Sequence, residues 1–160
     1  MNQSLSKEQC ETLVKRYPTI KARSEILLKE AKYYREDEEA YSAAVSCSND
    51  GTPRGTDVSD RTAKIATELL TVSKKRAVAQ KLESDILRSV VRQYESAFAQ
   101  LTEEEQYLLT DRQQHGKSWW TIYSEHQMTS DKAAQKAYYK AVARLMELIT
   151  VTPDELSHCV

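Results

Sequence analysis

The sequence predicts an all-α protein, a long coiled-coil-like helical hairpin followed by a C-terminal helix-turn-helix. Three observations carry that expectation. Only three Gly and three Pro occur among 160 residues, too few for the punctuated turns of an all-β fold. No Gly or Pro interrupts Asp60 to Gln100, where apolar residues recur three and four apart. Beyond Leu101 the chain breaks into three short periodic segments, each preceded by a hydroxyl residue that can cap a helix.

The elements follow in order. Ser6 with Gln9 three residues later forms a capping box for a short helix, Lys7 to Arg16, with Cys10, Leu13, Val14 and Tyr17 on its apolar side. Pro18 suits the first position of a second helix, Pro18 to Val45, striped by Ile20, Leu27, Ala31, Tyr34, Tyr41 and Val45. The run Glu36–Asp37–Glu38–Glu39 on that helix reads as a solvated face. Gly, Pro, Ser, Asn and Asp crowd Ser46 to Ser59, which predicts a flexible loop over 46–59. From Asp60 onward, Ala63, Ala66, Leu70, Ser73, Ala77, Gln80, Ser84, Leu87, Val91, Tyr94, Phe98 and Leu101 make a heptad-like seam. A second line, Ile65, Leu69, Val72, Leu82, Ile86 and Val90, widens it beyond what one helix can bury alone. The partner is the Pro18–Val45 helix, a second copy of the chain, or both. Residues 1–100 thus form a hairpin or dimerisation region.

Residues 101–150 have a different texture. Thr102 with Glu105 is a capping box, and Glu103 and Glu104 suit the positive end of a helix dipole. That helix should reach His115, bury Tyr107, Leu108 and Leu109, and stop at Gly116 as a left-handed cap. Ser118 caps a short helix from Trp119 to Glu125, with Trp119, Ile122 and Trp120 directed inward; in the Trp pair one ring anchors the core and the other covers it. Met128, Thr129 and Ser130 turn the chain into a last helix, Asp131 to Thr150, with Ala134, Ala137, Tyr138, Ala141, Leu145, Leu148 and Ile149 on its buried side. Lys132, Gln135, Lys136, Tyr139, Lys140 and Ala143 lie opposite. Residues 151–160 are polar and read as a flexible tail.

Composition excludes several chemistries. Neither GxGxxG nor GxxxxGK[ST] is present, so no Gly-rich phosphate cradle can form. His115 and His126 are eleven apart and His158 is in the tail, with no Cys or carboxylate at ligand spacing. No strained nucleophile turn presents a Ser. The expectation is no enzyme, no cofactor, no metal site and no catalytic residue. Cys10, Cys47 and Cys159 are far apart and odd in number, which suggests reduced thiols. No stretch approaches the ~20 apolar residues of a membrane span, and no apolar leader opens the chain, so no membrane contact and a cytoplasmic place are expected. Net charge is −1, so a nucleic-acid surface must be local; Lys74, Lys75, Arg76 and Lys81 form one basic cluster.

Three consecutive helices with tight turns match a helix-turn-helix whose last helix presents amides and lysines along one face. Such a face suits the major groove, where Gln pairs with adenine and Lys with guanine or phosphate. Here the segments LTEEEQYLL and GKSWWTIYSEHQMTSDKAAQKAYYKAVARLMEL resemble a sigma-70 region 4-like helix-turn-helix. The pattern is similar to that of phage late-transcription activators of the RinA/ArpU kind. Gly116, Lys117, Ser118, Trp119, Ile122, Ser130, Tyr139, Lys140, Ala141 and Leu145 carry the resemblance, which spans Leu101 to Ile149. Tyr123 stands where a small residue is usual, His126 where an apolar one is, and the turn between the helices lacks its common glycine.

The resemblance implies binding to promoter DNA, double-stranded, in concert with host RNA polymerase in a bacterial cytoplasm. Lys132, Gln135, Lys136, Tyr139 and Lys140 then face the major groove and Lys117 and Ser118 touch phosphates, with the long helices forming a homodimer or engaging polymerase. Leu101 to Ile149 holds six basic and seven acidic residues, little charge for a reader that gains affinity from phosphate neutralisation. Two other functions fit the same pattern: a helical protein–protein interaction factor, such as a phage product acting on a host protein, or a small terminase subunit.

Overall fold

The computed structural model describes residues 5–46 and 58–157, apart from the side chains of residues 38, 41–46 and 58–66. The fold is all-α, and no strand occurs among the described residues. The helices are α1 (Lys7–Ser46), α2 (Val58–Phe98), α3 (Glu103–Leu109), α4 (Trp119–Glu125), α5 (Asp131–Leu148) and α6 (Pro153–Ser157). Most of the loop expected over 46–59 lies outside the described residues, as do Cys47 and Cys159. The chain divides into two compact units, one of Met1–Arg23 with Ile86–Val160, the other Ser24–Asp85. The division falls within both long helices and not at residue 100.

In the Ser24–Asp85 unit, α1 and α2 run antiparallel: Ser84 donates its hydroxyl to the Ser24 carbonyl at 2.9 Å, and Gln80 Nε2 donates to Glu30 Oε2 at 2.8 Å. The expected seam faces inward, with Leu70, Ser73, Ala77 and Gln80 half-buried and Ser84 buried. Its counterpart on α1 is Ser24, Leu27, Ala31 and Tyr34, at three–four spacing. The second line faces outward here: Leu69, Val72 and Leu82 are exposed, with Val78, Ile26, Leu28 and Tyr33. The acidic run is solvated, as its side chains Glu36, Asp37 and Glu39 are exposed and two make i,i+4 pairs, Lys32–Glu36 and Arg35–Glu39. Such exposed pairs contribute little.

The other unit is a true core. Cys10, Leu13, Val14 and Ile20 of α1 pack with Leu87, Val90, Val91, Tyr94 and Ala97 of α2 and with the C-terminal helices, all buried. Burial pushes the Cys10 thiol up to about 12, the nearby Glu11 adding to it. Tyr17 donates to Glu95 at 2.6 Å, and Lys21 to the same carboxylate at 2.8 Å.

Three boundaries differ from expectation. The Ser6–Gln9 capping box is present, but α1 does not stop before Pro18; the proline sits inside a continuous helix. Proline has no N–H for the carbonyl four residues back, and the Val14 carbonyl instead accepts from Gln114 Nε2 at 3.3 Å. The helix opened by the Thr102–Glu105 box does not continue as α-helix to His115. After Leu109 it widens into a π-helical turn, Thr110–Gln114, closed by His115 N–H to the Thr110 carbonyl at 3.1 Å. Residues 151–157 are no tail: Thr152 and Glu155 form a third capping box, opening α6, and Val151 and Leu156 are buried.

Candidate nucleic-acid interface

Helices α3, α4 and α5 assemble around Leu108, Ile122 and Ala134, all fully buried, with Trp119, Tyr123, Met128 and Ala137 packed on them. Tyr107, expected inside, is 61 % exposed, because the buried stripe of α3 is Leu108 and Leu109. The tryptophans split: Trp119 meets Tyr138 edge-to-face with centroids 5.3 Å apart, whereas Trp120 is 67 % exposed against Tyr123. Ser118 is the N-cap of α4, accepting from Thr121 N–H, and Ser130 is the N-cap of α5, accepting from Ala133 N–H. Gly116 has φ +65°, as a left-handed cap requires. In the turn between α4 and α5 the left-handed residue is Gln127, φ +51°.

A buried carboxylate ties these pieces together. Asp111, in the π turn, faces His115 Nδ1 at 3.0 Å, Lys117 Nζ at 3.1 Å and His126 Nε2 at 3.3 Å, while its carbonyl accepts Lys117 N–H at 2.9 Å. Burial alone raises its pKa, but the donors from His115, Lys117 and His126 outweigh that and hold it below the usual carboxylate range. His126 thereby closes α4 onto Asp111.

The predicted interface residues fall into two groups. Ala134, Tyr138, Ala141, Val142 and Leu145 form the buried side of α5. Lys132, Lys136, Tyr139 and Lys140 are exposed opposite, with Gln135 half-buried at their flank. Helical spacing brings these five onto one face. Lys117 and Ser118 stand apart. Lys117 is bonded to Glu125 at 2.6 Å and to Asp111, and these carboxylates hold its ammonium charged above its ordinary range. The hydroxyl of Ser118 is engaged as the cap of α4. Arg112 stacks on Trp119, 4.4 Å from the ring, and donates to the Lys117 carbonyl, while Arg144 pairs with Glu105 at 3.1 Å.

Sequence reasoning missed what α1 brings to α5. Lys7 Nζ lies 3.7 Å above the Tyr139 ring, and the Tyr138 hydroxyl donates to Glu11 at 3.1 Å while accepting from Gln113. No local pattern reports a contact 132 residues long. In the same unit a cavity of about 430 Å³ is lined by Tyr17, Tyr94, Phe98, Gln106 and Gln114 among others, none of them a predicted interface residue. Among the described residues no helix is long and apolar enough to cross a membrane, and no His, Cys, Asp or Glu cluster could hold a metal. No protein family, curated protein or solved structure matches this chain.

Proposed function

We propose that this chain is a phage-type transcriptional regulator that reads promoter DNA with the exposed face of α5, in concert with host RNA polymerase. One observation carries the reading. Of the six basic residues between Leu101 and Ile149, Arg112, Lys117 and Arg144 are engaged by protein groups. Lys132, Lys136 and Lys140 have no ion pair among the described residues and share one exposed face with Gln135 and Tyr139. Three ammonium groups gathered on one exposed face of a single helix favour an anionic partner. Small buried residues, Ala134 and Ala141, let α5 lie close on the preceding helices, as a groove-reading helix needs.

Selection of bound fragments from a phage genome, at low and at ~0.2 M salt, tests the reading, since phosphate contacts weaken log-linearly with salt. One short site should be enriched, and Gln135→Ala with Lys136→Ala should abolish the enrichment while circular dichroism and melting stay unchanged. Enrichment that survives both substitutions removes α5 as the reader.

The exposed Leu69, Val72, Val78 and Leu82 on α2 favour a second reading, a helical protein–protein interaction factor. Within the regulator these residues would instead serve a homodimer or polymerase contact. Binding through them responds little to salt, which separates the two.

A further inference from the structure

We propose that Lys7, at the start of α1, belongs to the same DNA interface as α5 and neutralises a backbone phosphate on the flank that α5 itself leaves without a cation. The inference rests on the DNA-binding reading above and extends it to a residue outside the helix-turn-helix.

Two consecutive tyrosines of α5 grip two successive turns of α1. Tyr138, buried, donates to Glu11, and Tyr139, exposed, carries the Lys7 ammonium on its ring at 3.7 Å. Lys7 and Glu11 are one helical turn apart, so the pair of contacts fixes where the start of α1 sits on α5. An ammonium on a ring face is attracted by the ring quadrupole yet keeps its outward hydrogens for an anion. Lys7 is itself exposed.

The placement on the face gives Lys7 its role. At about 100° per residue, Gln135 and Tyr139 fall to one side of the line through Lys132 and Lys136, and Lys140 falls to the other. A helix lying in the major groove has a phosphate wall on each side. Lys140 addresses one wall; the opposite flank of α5 offers an amide and a phenol, neither of them cationic. Lys7, perched on Tyr139, supplies that cation from α1.

The test measures binding of the full-length chain to a fluorescein-labelled, random-sequence DNA duplex by anisotropy across a salt series. The variants are Lys7→Gln, Lys7→Arg, Lys136→Gln and Lys15→Gln, the last an exposed lysine two turns further along α1. Losing one phosphate contact lowers the slope of log affinity against log salt by about 0.9. Lys7→Gln and Lys136→Gln should each show that loss, Lys7→Arg should retain the wild-type slope, and Lys15→Gln should change nothing. A wild-type slope in Lys7→Gln beside a reduced one in Lys136→Gln overturns the role of Lys7 and leaves α5 as the reader. Equal losses in Lys7→Gln and Lys15→Gln overturn it as well, by showing a general charge effect. No salt-dependent binding by the wild type defeats both the interface and its extension.

Discussion

The two units solve the burial problem in opposite ways. In the unit of Met1–Arg23 with Ile86–Val160, large side chains such as Leu13, Leu87, Leu109, Ile122 and Leu145 are almost wholly buried. In the Ser24–Asp85 unit the inward seam mixes small or polar residues, Ser24, Ala31, Ser73, Ala77 and Ser84, with half-buried Leu27, Tyr34 and Leu70, and the large side chains Ile26, Tyr33, Leu69, Val78 and Leu82 point outward. Even the buried polar groups differ. One unit centres on an ionised carboxylate with three cationic or imidazole partners; the other has a serine hydroxyl on a backbone carbonyl. Two helices alone cannot surround an apolar core, so the second unit brings its backbones close and leaves its larger apolar groups for something else. The lesson is that a heptad pattern reports which residues face a neighbouring helix and does not report whether the pair is self-sufficient.

The comparison breaks most sharply at leucine. Leu145→Ala should cost about 3 kcal/mol, as for a fully buried leucine, whereas Leu82→Ala, 62 % exposed, should cost under about 0.5 kcal/mol. Urea melts of both variants decide. A large, concentration-dependent loss in Leu82→Ala shows that the outward face is covered in solution by another copy.

The polar centres come next. Asp111→Ala should destabilise by about 2 kcal/mol, the scale of hydrogen bonds to a charged group. The sign with pH follows from its depressed pKa. The carboxylate contributes fully above its unfolded value near 3.8 and loses that contribution as pH falls through the lower folded value. Thermal melts between about pH 2 and 6 should fall more steeply with acid in the wild type than in Asp111→Asn, and parallel curves would remove Asp111 as the link.

Ser84→Ala should cost about 1 kcal/mol, since the Ser24 carbonyl loses a neutral donor. A cost equal to that of Asp111→Ala would erase the contrast between the two polar centres. Opposite in sign is Gln127→Gly, where relief of a left-handed backbone should raise stability by about 0.5 kcal/mol. Calorimetry showing a loss would mean that the Gln127 side chain holds the turn.

What the sequence made legible follows from range. The seam from Leu70 to Leu101 is inward throughout, and Ser6, Thr102, Ser118 and Ser130 cap the helices where expected, because periodicity and capping are local physics. The lysine face of α5 was legible for the same reason. Pro18 was misread because a proline signals a helix start only if nothing else satisfies the carbonyl behind it. The π turn was missed because nothing in Thr110–Gln114 distinguishes it from α-helix. Lys7 on Tyr139 depends on a contact that no neighbouring residues announce, whereas α6 carries a local signal in its Thr152–Glu155 box that polarity alone hides.

The bond from Gln114 to the Val14 carbonyl joins residues a hundred apart in the chain. It links Pro18 to Gln114 through the carbonyl they have in common. Pro18 leaves the Val14 carbonyl without its helical N–H, and the carboxamide reaching back from the π turn donates to it instead. A substitution at either site alters what is permitted at the other. The start of the long first helix and the π turn are therefore complementary at this point, and grafting either onto a different partner leaves a carbonyl or a glutamine without its counterpart.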